Sequence, residues 1–218
     1  LRLPNINNLR FRADGQLAAL GYNGKVYLLN DTDRDGLPDA AETYWDRPTL
    51  RVPVGMAWSE QGLYVSSQGK LSLLRDTTGD GRADLEEIVS AGWPAPDVRS
   101  GGVDATSVTL DRQGNVYFAL ICANYSNPYR LDNGKAKYSR TSLRGTILRL
   151  SSDHKQRDVI ATGLRVPYTL AFNRHGDLFC TDQEGETWLP GGNPLDELNQ
   201  ILLGRHYGFP PRHDAYLP

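Results

Sequence analysis

One pattern constrains the fold more than any other: a short apolar strand, a turn ending in glycine, and a second strand, found four times. Leu9-Arg10-Phe11 leads through Gly15 to Gln16-Leu17-Ala18, and Met56-Ala57-Trp58 leads through Gly62 to Leu63-Tyr64-Val65. Val108-Thr109-Leu110 leads through Gly114 to Asn115-Val116-Tyr117-Phe118, and Leu170-Ala171-Phe172 leads through Gly176 to Asp177-Leu178-Phe179. The glycines are 47, 52 and 62 residues apart. A third strand follows in three units, at Lys25–Leu29, Lys70–Leu74 and Thr146–Leu150. Short alternating strands with a glycine turn, repeating at this period, are the pattern of β-propeller blades, each a small sheet whose faces its neighbours bury. A β-sandwich, the competing arrangement, rarely repeats its internal pattern. About four blade-like units fit, near residues 1–48, 49–98, 99–160 and 161–218. The fourth lacks its outer strands in the usual place, so the expectation is an arc of a larger all-β ring. Helix is scarce; Asn193–Leu203, with apolar residues at 195, 198, 201 and 202, is expected to supply a turn or two.

Two acidic loops follow the third strands of the first two units. Asp31–Glu42 reads DTDRDGLPDAAE and Asp76–Glu87 reads DTTGDGRADLEE. Each places oxygen donors at loop positions 1, 3, 5, 9 and 12 with glycine at 6, as calcium requires: six to eight hard oxygens around a sharp turn. The candidate ligands are Asp31, Asp33, Asp35, Asp39 and Glu42 in the first loop, and Asp76, Thr78, Asp80, Asp84 and Glu87 in the second. Backbone carbonyls of Leu37 and Arg82 would serve at position 7. The alternative is a solvated acidic turn, and Thr78 in place of a carboxylate weakens the second loop. Strands flank both loops, not long helices, so a structural calcium is expected and a signalling switch is not.

Composition excludes several function classes. With 218 residues and a net charge of −2, the chain suits one globular unit with a sizeable core and has no basic surplus for nucleic acid. No apolar stretch is long enough to span a membrane. The chain starts at Leu1 and shows no signal peptide, so it is read as a fragment or processed piece. Cys122 and Cys180 are expected to be buried free thiols, with a pairing left open. Calcium loops without helices are commonest where calcium is plentiful, which points to a periplasmic or extracellular location. His154 and His175 fall in turns and are expected to be exposed; His206 is a candidate for the central face, and His213 carries no ligand spacing. Trp58 is expected in the core, and Trp93 and Trp188, each beside a proline in a loop, are candidate surface platforms for a sugar. An insertion near residues 121–144 interrupts the third unit, and long insertions on a rigid scaffold often carry function.

The stretch GLRVPYTLAFNRHGDLFCTDQEG, followed by DELNQILLGRHYGFPP, resembles the PQQ-dependent soluble sugar dehydrogenases of the glucose/sorbosone dehydrogenase family. Together with the calcium loops it is similar to the membrane-bound dehydrogenase domains of planctomycete-type bacteria, which are often fused to haem-binding modules. No C-x-x-C-H occurs here, so no haem is implied for this chain, and an electron-acceptor domain would lie elsewhere in the parent protein. The resemblance implies a six-bladed propeller and PQQ chemistry on a sugar or related alcohol, in which the cofactor performs the redox step. It implies that Arg165 contacts the quinone, and that Asp182 and Gln183 lie at the cofactor's calcium site. It also implies that Glu197, through its carboxylate, and Tyr207, through its carbonyl, hold a further calcium. Val166 stands where the family has asparagine, and no histidine occurs near residues 102–106, where the family has its general base. Asp104 is the candidate base in its place. Two alternatives stay open: a non-catalytic propeller that binds carbohydrate or a protein partner, and a calcium-dependent lactonase with Asp104 and Asp182 as metal carboxylates.

Overall fold

The computed structural model of the chain describes residues 1–95, 102–122, 142–183 and 195–209, with the backbone of 131–132 and 135–136. The first sheet runs in chain order through β1 (Ile6–Phe11), β2 (Leu17–Gly21), β3 (Val26–Asn30) and β4 (Ala40–Trp45). The second repeats it with β5 (Gly55–Ser59), β6 (Gly62–Ser67), β7 (Lys70–Arg75) and β8 (Leu85–Ala91). The third is built on β9 (Ala105–Leu110) and β10 (Val116–Leu120). After the two-residue strands β11 (Leu131–Asp132) and β12 (Lys135–Ala136), it continues in β13 (Thr146–Leu150) and β14 (Arg157–Thr162). The fourth comprises β15 (Pro167–Phe172), β16 (Leu178–Asp182) and β17 (Glu197–Ile201). The chain then returns to the outer edge of the third sheet, where β18 (Arg205–His206) pairs parallel to β14. The four sheets form a four-blade propeller arrangement, with β1, β5, β9 and β15 as the inner strands.

Residue alternation explains why these short runs become blades. In β6, Leu63 and Val65 point into the core shared with the first blade, beside Met56, Leu20 and Val26. Tyr64, between them, points the other way into the core shared with the third blade, beside Leu73, Val108 and Phe118. In β10, Phe118 faces the second blade while Ala119 faces the fourth, where it meets Leu170 and Cys180. A strand buried on both faces reads as a near-continuous apolar run, and burial of roughly 25 cal/mol per Å² is the driving force. The outermost blades each leave a face without a neighbouring sheet: Leu9 and Phe11 are exposed on the first, and Leu198 on the fourth.

The inner strands approach one another too closely for large side chains. A Cβ on Gly55 would lie 2.7 Å from Ser107 Cα and from the Thr106 carbonyl oxygen. Small polar groups stitch this seam. Asn7 and Asn8 donate to the carbonyls of Pro53 and Val54, and Ser66 Oγ donates to the Thr106 carbonyl. Thr106 Oγ1 donates to the Pro167 carbonyl, and Leu170 N donates to Ser107 Oγ at 2.8 Å.

Several expectations change. Asn193–Leu203 is no helix in its described part: Glu197–Ile201 is a strand, because pairing with β16 satisfies its backbone and only Ile201 of its apolar residues is buried. The unit boundary expected near 160/161 falls within β14, and β18 of the fourth unit pairs with that strand. His154 is half-buried: its Nε2 lies 2.7 Å from Tyr64 Oη of the neighbouring blade, in a turn where His154 itself has a φ of 61°. Trp93 is buried, not a surface platform, whereas His175 is exposed as expected, and Trp58 packs half-buried against the first core. Both cysteines are buried, and neither forms a disulfide. Trp188, His213 and most of the 121–144 insertion lie outside the described residues. Among the described residues no helix is long and apolar enough to cross a membrane.

This packing has two measurable consequences. Gly55→Ala forces the seam apart and is expected to cost about 1–3 kcal/mol in chemical denaturation; an unchanged midpoint would contradict the close approach. Burial holds the His154 imidazole below its ordinary range, although Glu87 and Asp153 pull its pKa upward. The folded state therefore resists a proton that the unfolded chain accepts. Its stabilising contribution is complete above the ordinary value, near 6.5, and is lost as pH falls through it toward the depressed value. Melting curves from about pH 7.5 to about pH 5 are expected to fall more steeply for the parent protein than for His154→Asn; parallel curves would refute the role of His154.

Candidate functional site

Antiparallel order within each blade sorts the connections into two ends. The β1–β2 and β3–β4 connections, and their equivalents, share one end; the β2–β3 and blade-to-blade connections share the other. Both acidic loops therefore lie at the first, acidic end. The described residues 92–95, 102–104, 121–122, 142–145, 163–166, 183 and 195–196 belong to the second, the mouth end.

At the acidic end the two loops fold alike. Asp31 Oδ2 accepts from Gly36 N at 2.8 Å, and Asp76 Oδ2 accepts from Gly81 N at 2.8 Å. Leu37 N donates to Asp35 at 2.8 Å and Arg82 N to Asp80 at 2.9 Å. Gly36 and Gly81 have φ values of 93° and 86°, which glycine adopts without strain. Asp39 and Asp84 each accept from the hydroxyl of the loop's second residue, Thr32 and Thr77, at 2.6 Å. These hydroxyls, with nearby N–H groups, hold both carboxyls below the usual carboxylate range. Asp31, Asp33 and Asp35 bring one oxygen each within 4.8 Å of one another, the single such group of three among the described residues. In the second loop Asp76 instead caps Gly79 and Gly81, with Thr78 Oγ1 at 3.4 Å. The closing glutamates stand on β4 and β8, where Glu42 accepts from Asn30 and Glu87 pairs with Arg75 at 2.9 Å.

At the mouth end, Asp104 precedes β9 and is completely buried. Its carboxylate accepts from Gly69 N at 2.5 Å and Trp93 Nε1 at 3.0 Å, and it forms an ion pair with Arg144 Nη1. Arg144 also donates to the Pro94 carbonyl, so this cluster ties the second blade to the third. A carboxylate so engaged acts as an anchor between blades, with its oxygens already bonded to N–H and guanidinium donors. Sequence reasoning misses Arg144. Its position immediately before the glycine that precedes β13 is the available signal, but nothing in the sequence shows which carboxylate it meets.

Arg165 precedes β15 and is also fully buried. Its backbone N–H donates to Asp182 Oδ2 at 3.0 Å, and its Nη1 donates to the Gln183 carbonyl at 2.8 Å. Asp182 also accepts from Val166 N at 2.8 Å. Arg165, Asp182 and Gln183 are thus brought together. Beside them is a cleft of about 280 Å³ lined by Tyr168, Thr181, Asp182, Gln183 and Asp196. Tyr168, half-exposed on the inner strand, is a feature that sequence reasoning passes over. Glu197 opens β17 opposite Asp182 and is exposed; its carboxylate accepts from Asn199. Tyr207 follows β18, where its hydroxyl donates to the Gln200 carbonyl at 2.5 Å and accepts from Leu202 N at 2.8 Å. Tyr207 closes the turn after β17.

Comparison with known proteins supports the same architecture. The PQQ-bound aldose sugar dehydrogenase of Streptomyces coelicolor superposes with a TM-score of 0.73 at 17% identity, over 97% of this chain and 64% of that one. The calcium structure of the Trichoderma reesei family AA12 carbohydrate-active enzyme gives 0.75 at 16% identity, over 96% and 56%. The holo pyranose dehydrogenase PQQ domain of Coprinopsis cinerea gives 0.67 at 11% identity, over 92% and 51%. The chain therefore spans just over half to under two thirds of the length of these structures, and at such identities the likeness is one of fold. Among curated protein sequences none matches. A family profile matches residues 10–208, nearly the whole chain, and the chain belongs to that family, described as a domain of unknown function, DUF7133.

Proposed function

We propose that this chain is a calcium-stabilised propeller arc that binds a sugar or related alcohol at its mouth end. The observation that carries this is the cleft beside Tyr168, where hydroxyl, amide and carboxylate groups of Thr181, Gln183 and Asp196 line a volume suited to one sugar ring. An exposed aromatic ring beside hydrogen-bonding groups is the combination a pyranose needs, since it presents one apolar face and a rim of hydroxyls. Calcium fits the first acidic loop because three hard carboxylate oxygens already converge there. The second loop, with fewer converging donors, is the weaker site. A calcium-rich periplasmic or extracellular setting accompanies this reading.

Oxidation of the bound sugar is the second reading, favoured by the likeness in fold to dehydrogenases that hold PQQ. When bound, PQQ would accept a hydride from a sugar. The described residues do not fit that group: the Arg165 side chain is enclosed and bonded to the Gln183 carbonyl, and Asp104 is committed to Arg144. No redox step is assigned to them. Lactone hydrolysis asks for open, metal-binding carboxylates around the axis. Asp104 and Asp182 are instead buried and occupied by N–H and guanidinium donors, so the geometry lends it no support.

Titration of the intact protein with monosaccharides is expected to show saturable binding that Tyr168→Ala weakens about tenfold, the loss of roughly one stacking contact. Binding should be independent of added PQQ. Saturable PQQ binding with dye-linked sugar oxidation would overturn this reading in favour of the second, and unchanged affinity in Tyr168→Ala would remove the site. Calcium at about a hundredfold excess over its dissociation constant is expected to stabilise the fold by about 2.7 kcal/mol, and Asp33→Asn to abolish most of that gain. Equal melting temperatures with calcium and with a chelator would contradict the metal site.

A further inference from the structure

We infer that a second small-molecule site, for a ring-sized carboxylate, lies at the acidic end between the third and fourth blades. A cleft of about 380 Å³ opens there between the β9–β10 turn and the β15–β16 turn. Its apolar wall is Tyr117 against Phe172, edge to face with centroids 5.1 Å apart. Arg112 Nη2 donates to the Arg174 carbonyl at 2.7 Å and links the two turns at their tips.

Two side-chain acceptors of this cleft, the Asp111 carboxylate and Asn173 Oδ1, are already used. Asp111 accepts from Gln113 N, Asn115 N, Asn115 Nδ2 and Tyr117 Oη. Asn173 Oδ1 accepts from His175 N and Asp177 N. Donors remain. Among the described residues the Arg112 guanidinium forms no ion pair with a carboxylate, and the rest of its fork lies beyond its single bond to the Arg174 carbonyl. Arg174 Nε donates to His175 Nε2 at 3.0 Å, which places the imidazole proton on Nδ1 and leaves it as a further donor. An aromatic wall with a guanidinium fork and an imidazole N–H selects a ligand with a flat or apolar ring face and an anionic, acceptor-rich edge. The guanidinium geometry matches a carboxylate in particular. A sugar acid and an aromatic acid share this chemistry. The site is independent of the mouth-end reading, from which the antiparallel order of the strands separates it.

The test titrates the intact protein, at low ionic strength, with galacturonate, with benzoate and with glucose as the neutral control, followed by ligand-observed NMR. Saturable binding of a carboxylate is expected, weakened about tenfold in Arg112→Gln, the loss of one charge-assisted contact, and weakened less in Arg112→Lys. The Tyr168→Ala variant should leave this binding unchanged, which separates the two sites. Preference for galacturonate identifies a sugar acid, and preference for benzoate an aromatic acid. No saturation by either acid, affinity for glucose equal to that for the acids, or unaltered affinity in both Arg112→Gln and His175→Ala would overturn the inference.

Discussion

The fold rests on the seam where inner strands of neighbouring blades meet. Apolar burial holds blade to blade further out, but near the axis there is no room for apolar side chains, and the chain uses Gly55, Ser66, Thr106 and Ser107 instead. Carbonyl and N–H groups along this line are met by a hydroxyl or amide of the next blade. A buried backbone group left without such a partner would cost about as much as a lost hydrogen bond, so these small polar residues are a condition of closing the strands together. The seam also sets where the strands begin, and thereby which residues reach the mouth.

With the seam in place, strand direction divides the labour between the ends. The acidic end carries tight loops built from their own aspartates, where Asp31 and Asp76 gather N–H groups with the carboxylate oxygens that a cation would draw in. The mouth end carries longer connections and buried charge. Asp104 with Arg144, and Arg165 with Asp182 and Gln183, fix the starts of β9 and β15. The Asp104–Arg144 ion pair gains little net stability over an apolar replacement, but breaking it by removing a single partner is costly. The contacts of Arg165 with Asp182 and Gln183 order the backbone that borders the Tyr168 cleft.

Much of the architecture is legible in the sequence, for a physical reason. Period-two alternation and a glycine turn are local signals, and four copies of both can be read without knowing any contact. The acidic loops are legible because their hydrogen bonds are made within twelve residues. What is not legible depends on partners distant in sequence. The strand at Glu197–Ile201 looks helical by spacing because its partner, β16, cannot be inferred from its own residues. The commitment of Asp104, to which Trp93 also donates, depends on Arg144, forty residues beyond Asp104. His154 reads as exposed because its turn is polar, yet its bond to Tyr64 crosses from one blade to the next. The return of β18 to the third blade breaks the simple unit-by-unit division for the same reason.

Backbone hydrogen exchange measures the central claim most directly. If the stitched seam carries the arc, the amides of β5 and β9 exchange only through global opening and are the slowest in the protein, while those of β1 and β17, with no neighbouring sheet on one side, exchange orders of magnitude faster. Exchange of β5 and β9 as fast as that of β1 and β17 would mean that the blades are held from their outer cores alone, and that the seam does not carry the arc.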